Sequence, residues 1–344
     1  MDGELRGDEV RVGGDARQRF HDARGYGHPL EGDTISLSLV EAAHLLFRGD
    51  LEAVDGMGFR EFLATRDAGF SGRFLVYTDL RDRGFYLAPD REPWRENPSP
   101  ADFVVFPRGK GPGDGVVEYR IRVVGERTDV PASELGDAVL AVVDEESEIT
   151  YLDVEPLEPD GSTDSVTVDA AEGVLLDDRV LLWNPPASLH QQAFYGQPLG
   201  GRAAEHDALQ LSLVEAAYLA ASGDLALVGG GGIEVVVERG RAVEGERFDR
   251  RLRVYRALRD AGMVPKTGFK FGADFRVYAD VDSVDDLGHS SLLVRVLPAD
   301  HTFAPRDLSL DVRLAHGVRK RMVFALDDTT DDTIRWRSVS RLTP

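Results

Sequence analysis

The chain repeats itself. Leu37-Ser38-Leu39-Val40-Glu41-Ala42-Ala43 returns word for word as Leu211-Ser212-Leu213-Val214-Glu215-Ala216-Ala217, and the same offset of 174 carries Gly49-Asp50-Leu51 onto Gly223-Asp224-Leu225. Upstream, Tyr26-Gly27-His28-Pro29 matches Tyr195-Gly196-Gln197-Pro198. Downstream, Leu80-Arg81-Asp82-Arg83-Gly84 matches Leu258-Arg259-Asp260-Ala261-Gly262, and Ala101-Asp102-Phe103 matches Ala273-Asp274-Phe275. Matches that keep their order over nearly the whole length mark a tandem duplication, so the fold must be one that is built twice. The 344 residues are enough for two or three domains at roughly 100–200 residues each. The polar, turn-rich stretch Glu158-Pro159-Asp160-Gly161-Ser162 reads as a linker, giving halves 1–160 and 161–344.

Each half reads as two pieces, divided at about residues 95 and 268. The first piece opens with turns and an amphipathic helix, expected to carry Leu37, Val40, Ala43 and Leu45, or Leu211, Val214, Ala217 and Leu219. A second helix, carrying Phe74 to Tyr77 or Leu252 to Leu258, stops at glycine. The second piece is strand-rich, with short β-prone runs at Phe275–Tyr278 and Ser291–Val296. A helix over about Asp307 to Lys320 leads to strands at Met322–Leu326 and Ile334–Val339, and the first half has strands at Val139–Val143 and Ile149–Leu152. The class is α/β in the α+β sense. Gly229–Gly232 is followed by no lysine and reads as a loop outside any strand–loop–helix phosphate pattern.

Composition narrows the chemistry. No cysteine is present, which excludes disulfides, thiolate zinc, iron–sulfur clusters and a cysteine nucleophile. The charged start MDGELRGDEV lacks the apolar core of a signal peptide and no 18-residue apolar run occurs, so the expectation is a cytoplasmic protein with no membrane partner. The net charge is -21, and only Lys110, Lys266, Lys270 and Lys320 are lysines against 36 arginines. Acid excess with scarce lysine is the surface chemistry of a salt-adapted protein. The total therefore reports the solvent, and local charge reports the partner. From Arg313 to Pro344 seven basic residues face four acidic ones.

A duplication is also an internal control. Tyr278 aligns with Phe106, His289 with about Val116, and Lys320 with Asp137, so a phenol, an imidazole and an ammonium are all missing from the first half at those places. Together they form a general base, a general acid and an oxyanion stabiliser. The eight histidines show no paired metal-ligand spacing. On one continuous helix Arg313, His316 and Lys320 would share a face.

Val312-Arg313-Leu314-Ala315-His316-Gly317-Val318-Arg319-Lys320-Arg321, preceded by Phe271-Gly272-Ala273-Asp274-Phe275-Arg276-Val277-Tyr278 and Gly288-His289-Ser290, closely resembles the archaeal tRNA-splicing endonucleases, the tRNA-intron lyases. The likeness covers both halves and is nearest to the homodimeric form, in which an inactive repeat is fused to an active one. The resemblance implies a restriction-endonuclease-like catalytic piece that cuts precursor tRNA at both ends of a bulge–helix–bulge intron. It implies no metal or other cofactor, and ends bearing a 2′,3′-cyclic phosphate and a 5′-hydroxyl. Tyr278 would take the 2′-hydroxyl proton, His289 would protonate the leaving oxygen, and Lys320 would neutralise the five-coordinate phosphorus. Imidazole, titrating near 6.5, suits an acid; a phenol, near 10, needs a neighbouring cation to act as base. Arg313 and Arg335, with Arg337 pointing to the same side of a strand as Arg335, match the arginines that sandwich a bulge base. His316 shares the motif and is read as a residue that either supports the reacting groups from behind or packs. The acidic run Asp144, Glu145, Glu146 and Glu148 matches the loop that docks on a partner chain, making a homodimer.

Two rival classes remain. One is a catalytically silent RNA-binding or assembly subunit, which would lack part of the Tyr278, His289 and Lys320 set. The other is a metal-dependent nuclease, which needs paired acids and a lysine at one strand.

Overall fold

The computed structural model describes residues 1–136, 138–163, 170–200 and 207–344. They form two compact units: Met1–Glu155 with Thr302–Leu310 and Ser340–Pro344, and Pro156–His301 with Asp311–Val339.

The first unit opens with β1 (Asp2–Arg6), β2 (Glu9–Val12), β3 (His28–Pro29), β4 (Ile35–Ser38) and β5 (Ala53–Val54), side by side in the order β3-β4-β2-β1-β5. Helix α1 (Leu39–Phe47) lies between β4 and β5, and α2 (Phe59–Ala64) and α3 (Phe70–Asp82) follow. Its second sheet runs β6 (Leu87–Pro89), β7 (Phe103–Val105), β8 (Tyr119–Gly125), then β10 (Val139–Val143) and β11 (Ile149–Pro156). The short β9 (Val130–Pro131) instead pairs with Thr302–Phe303.

The second unit repeats this plan. β12 (Ala171–Leu175), β13 (Arg179–Trp183), β14 (Gln197–Pro198), β15 (Ala208–Ser212) and β16 (Leu225–Leu227) take the order β14-β15-β13-β12-β16. The helices are α4 (Ala187–Gln191), α5 (Leu213–Ser222), α6 (Ile233–Glu244) and α7 (Glu246–Asp260). Then come β17 (Val264–Thr267), β18 (Phe275–Tyr278), β19 (Leu292–Pro298), β20 (Thr302–Phe303), α8 (Pro305–Gly317), β21 (Arg321–Asp328) and β22 (Thr333–Leu342), of which β20, the start of α8 and the end of β22 count with the first unit. The order β17-β18-β19-β21-β22 matches β6-β7-β8-β10-β11 strand for strand. β19 and β21 are parallel, a pairing that needs a long crossover, and α8 lies in it. Each unit has its own core, one around Phe20, Tyr26, Tyr77 and Ile121, the other around Phe248, Tyr255, Leu258 and Val294.

The duplicated words are a strand–helix junction. Ser38 and Ser212 are N-caps, and Glu41 and Glu215 return a carboxylate to the cap, so both copies carry a full capping box. The box starts the helix at Leu39 or Leu213, and Leu37 and Leu211 therefore belong to β4 and β15 and not to the amphipathic helices expected of them. The same carboxylates reach back to Gly27 N at 2.7 Å and Gly196 N at 3.0 Å. Both glycines have positive φ, and a Cβ there would stand 2.6–2.7 Å from a strand carbonyl, which accounts for the Tyr-Gly word.

Four other expectations need correction. The helix expected to reach Lys320 ends at Gly317, so Lys320 does not share a helical face with Arg313 and His316. His316 is exposed and does not pack. The glycine run does lie between a strand, β16, and a helix, α6; there the Glu234 carboxylate already accepts from Gly232 N at 3.1 Å. The stretch read as a linker is hydrogen-bonded to its own unit, Gly161 N to Ala261 O at 2.8 Å and Ser162 N to Ala279 O at 2.8 Å.

Candidate active site

Tyr278 closes β18, opposite Val264. Its ring is buried, edge-on to Phe194 with centroids 5.6 Å apart. Two residues earlier on the same face of the strand, Arg276 places its guanidinium carbon 5.7 Å from that ring. His289 is exposed in the loop three residues ahead of β19. Lys320 sits in the tight turn between α8 and β21. Its N–H donates to Ala315 O at 2.9 Å, and Arg319 beside it takes a φ of +56°. Its Nζ donates to Ser290 O at 2.6 Å and stands 5.9 Å from the Phe271 ring centre.

One run of backbone hydrogen bonds gathers these three positions. Ser291 N donates to Val277 O at 2.9 Å and Arg321 N donates to Ser291 O at 3.0 Å. Tyr278, His289 and Lys320 each lie one or two residues from that run, at the same end of three neighbouring strands. Partial burial, and then the Arg276 guanidinium, lower the Lys320 pKa from its ordinary value. Arg276 was missed in sequence. Its counterpart through the paired registers is Val104, and its buried Nε finds no hydrogen-bond partner among the described residues. A cation therefore stands beside the phenol and acts on the ammonium.

In the first unit Phe106 is buried, and Val116 is exposed three residues ahead of β8, as His289 is ahead of β19. Asp137, the counterpart of Lys320, lies outside the described residues.

The remaining candidates lie on α8, on β22 and at the β10–β11 hairpin. Arg313 is exposed on α8. Arg335 and Arg337 lie on β22 opposite Leu326 and Phe324 and are half-buried; Arg335 Nη2 donates to Ala299 O at 3.5 Å and Arg337 Nη1 to Trp336 O at 3.1 Å. Lys320 precedes the first residue of β21, so about 20 Å of strand separates it from Leu326 at roughly 3.3 Å per residue. Arg335 is not brought to the end that carries Lys320. The acidic run is the tip of the β10–β11 hairpin. Asp144 Oδ1 accepts from Glu146 N at 2.9 Å and Glu148 N at 2.8 Å, and Glu145 pairs with Arg127. No group of three or more His, Asp or Glu side chains able to hold a metal occurs among the described residues, nor a helix long and apolar enough to cross a membrane.

A profile described as the tRNA intron endonuclease N-terminal domain matches twice, at residues 1–63 and 171–239, and one described as the tRNA intron endonuclease catalytic C-terminal domain matches residues 248–336. The chain belongs to the tRNA intron endonuclease family. It is 71% identical over 344 residues, all of both chains, to a tRNA-splicing endonuclease of Halobacterium salinarum. It is 62% identical to one of Haloarcula marismortui over 99% of each chain, and 38% identical to one of Methanosarcina mazei over 94% of each. For a tRNA intron endonuclease, the match to the catalytic profile spans Tyr278, His289, Lys320, Arg313 and Arg335.

Proposed function

We propose that this tRNA-intron lyase cleaves precursor tRNA at both intron boundaries with Tyr278, His289 and Lys320 as its catalytic set. Tyr278, with Arg276 beside it, takes the 2′-hydroxyl proton. The 2′-oxygen attacks the adjacent phosphorus and the bond from phosphorus to the 5′-oxygen breaks. His289 supplies the proton to that oxygen, and Lys320 balances the extra negative charge on phosphorus. The products carry a 2′,3′-cyclic phosphate and a 5′-hydroxyl, and no metal takes part. The observation that carries this reading is the asymmetry of the family matches: the N-terminal profile fits both halves, the catalytic one only 248–336. On that basis residues 1–160 are an inactive structural repeat and 161–344 the catalytic one.

The substrate form is a bulge–helix–bulge, read by shape and by unpaired bases stacked on Arg313, Arg335 and Arg337. With the length of β21 between Arg335 and Lys320, Arg335 grips RNA away from the phosphate its own triad cuts. The acidic tip at Asp144–Glu148 joins two chains into a homodimer, which suits two cuts related by a two-fold axis.

The test is to incubate the protein in high salt and EDTA with a bulge–helix–bulge transcript and to map the fragment ends. Cyclic phosphate and 5′-hydroxyl ends are expected, with Lys320→Ala slowed about 10²–10³-fold, the usual loss for one oxyanion donor. Hydrolytic ends with a 5′-phosphate, or full inhibition by EDTA, would overturn it.

A further inference from the structure

The two repeats place different residues on one strained backbone position. Aligned on Tyr26-Gly27 and Tyr195-Gly196, Gly25 corresponds to Phe194, and both take left-handed φ, +67° and +54°. Glycine meets that requirement freely, whereas a bulky side chain there is an outlier that persists only when its surroundings hold it. The surroundings of Phe194 do hold it. Lys266 Nζ donates to Phe194 O at 3.0 Å, to Gly196 O at 2.9 Å and to the Glu215 carboxylate at 2.7 Å, all buried. Three acceptors use all three ammonium protons. Arg259 Nη1 adds a bond to Ala193 O at 3.0 Å.

Most of this clamp is common to both copies. Arg81 donates to Arg24 O at 2.9 Å as Arg259 does to Ala193 O, and Glu41 accepts from Gly27 N as Glu215 does from Gly196 N. Lys266 is not common: through the strand registers its counterpart is Ala88. So the second repeat adds a buried cation and an aromatic ring together. The ring stands edge-on against Tyr278, the residue that the first repeat replaces by Phe106.

We infer that Phe194, clamped by Lys266 and Glu215, is a positioning residue that fixes the Tyr278 ring for proton transfer. This rests on Tyr278 being the base, as proposed above. Edge-to-face contact constrains a ring's tilt, and an error of about 1 Å in a reacting group can cost about 10²-fold in rate.

The test uses the full-length protein and a saturating precursor transcript, with Phe194→Gly made alone and in a Tyr278→Phe background. Gly is the residue the first repeat carries there, so the backbone accepts it. Alone, Phe194→Gly is expected to slow single-turnover cleavage about 10–100-fold with RNA affinity unchanged. In the Tyr278→Phe background it should change the residual rate by less than about twofold, because two residues acting as one unit are not additive. Phe194→Tyr, which keeps the ring, should restore the rate. If Tyr278→Phe is slow and Phe194→Gly is not, the positioning role fails while the base stands. An equal loss in both backgrounds, or a loss of RNA affinity, makes Phe194 merely structural and overturns it as well. If Tyr278→Phe cleaves at full rate, the catalytic assignment falls, and this inference with it.

Discussion

Arg276 sets the charge balance of the candidate site. Burial and Arg276 both lower the Lys320 pKa, and the lysine works only as ammonium, so cleavage must fall as pH rises through that pKa. Replacing Arg276 by Gln removes one of the two causes. The alkaline limb of the single-turnover pH–rate profile should then move to higher pH, while the maximum rate falls because Tyr278 loses its nearest cation. An alkaline limb that stays in place would mean that Lys320 does not set it. The catalytic candidates were legible in sequence because each differs in kind from its partner in the other repeat. Arg276 differs from Val104 in the same way, but among 36 arginines a single guanidinium carries no signal until its neighbours are known.

At the scale of elements, Lys266 ties β17 to the start of α5 and to the turn at Phe194–Gly196. Its need for a compact, three-proton donor explains a lysine here in a chain with only four lysines against 36 arginines, since the flat guanidinium fork cannot serve three converging acceptors. Burial opposes ionisation of Glu215, but Lys266 and the hydrogen bonds outweigh it and hold the pKa at about 2. Glu41, buried without such a lysine, is instead raised. The stability that Glu215 contributes is thus present above the ordinary glutamate value and is lost only as pH falls towards 2. Lys266→Ala should cost about 3–5 kcal/mol at neutral pH, as breaking a buried pair does. It should also leave Glu215 raised like Glu41, so that this variant regains stability on mild acidification where the parent does not. Urea midpoints at pH 7 and pH 5 check both parts. The sequence showed which elements exist better than where they stop. Leu37 fits a helical stripe as well as a strand, and only the Ser38–Glu41 box decides between them. The end of α8 is set by a left-handed Arg319, a conformation that residue type does not announce.

For the whole molecule, that one plan is built twice was legible from the repeat, whereas the strand order and the return of residues 302–310 and 340–344 to the first unit were not, because pairings so distant in sequence leave no local trace. The proposed homodimer rests on the hairpin tip, and there the four acids are unequal. The Asp144 carboxylate holds the turn and Glu145 is engaged by Arg127. Glu146 and Glu148 are exposed, and among the described residues neither side chain forms an ion pair. These two should carry the docking. At about 1 M salt the Debye length is only about 3 Å, so the attraction must act through direct contacts and cannot depend on long-range field. Reversing both charges, Glu146→Lys with Glu148→Lys, should therefore give monomers in sedimentation velocity even in molar salt, and cleavage at both intron boundaries should fail together. Asp144→Asn, in contrast, should loosen the turn and weaken association without abolishing it. A parent chain that sediments as a monomer at micromolar concentration, or a double reversal that stays dimeric, would remove the tip from the assembly.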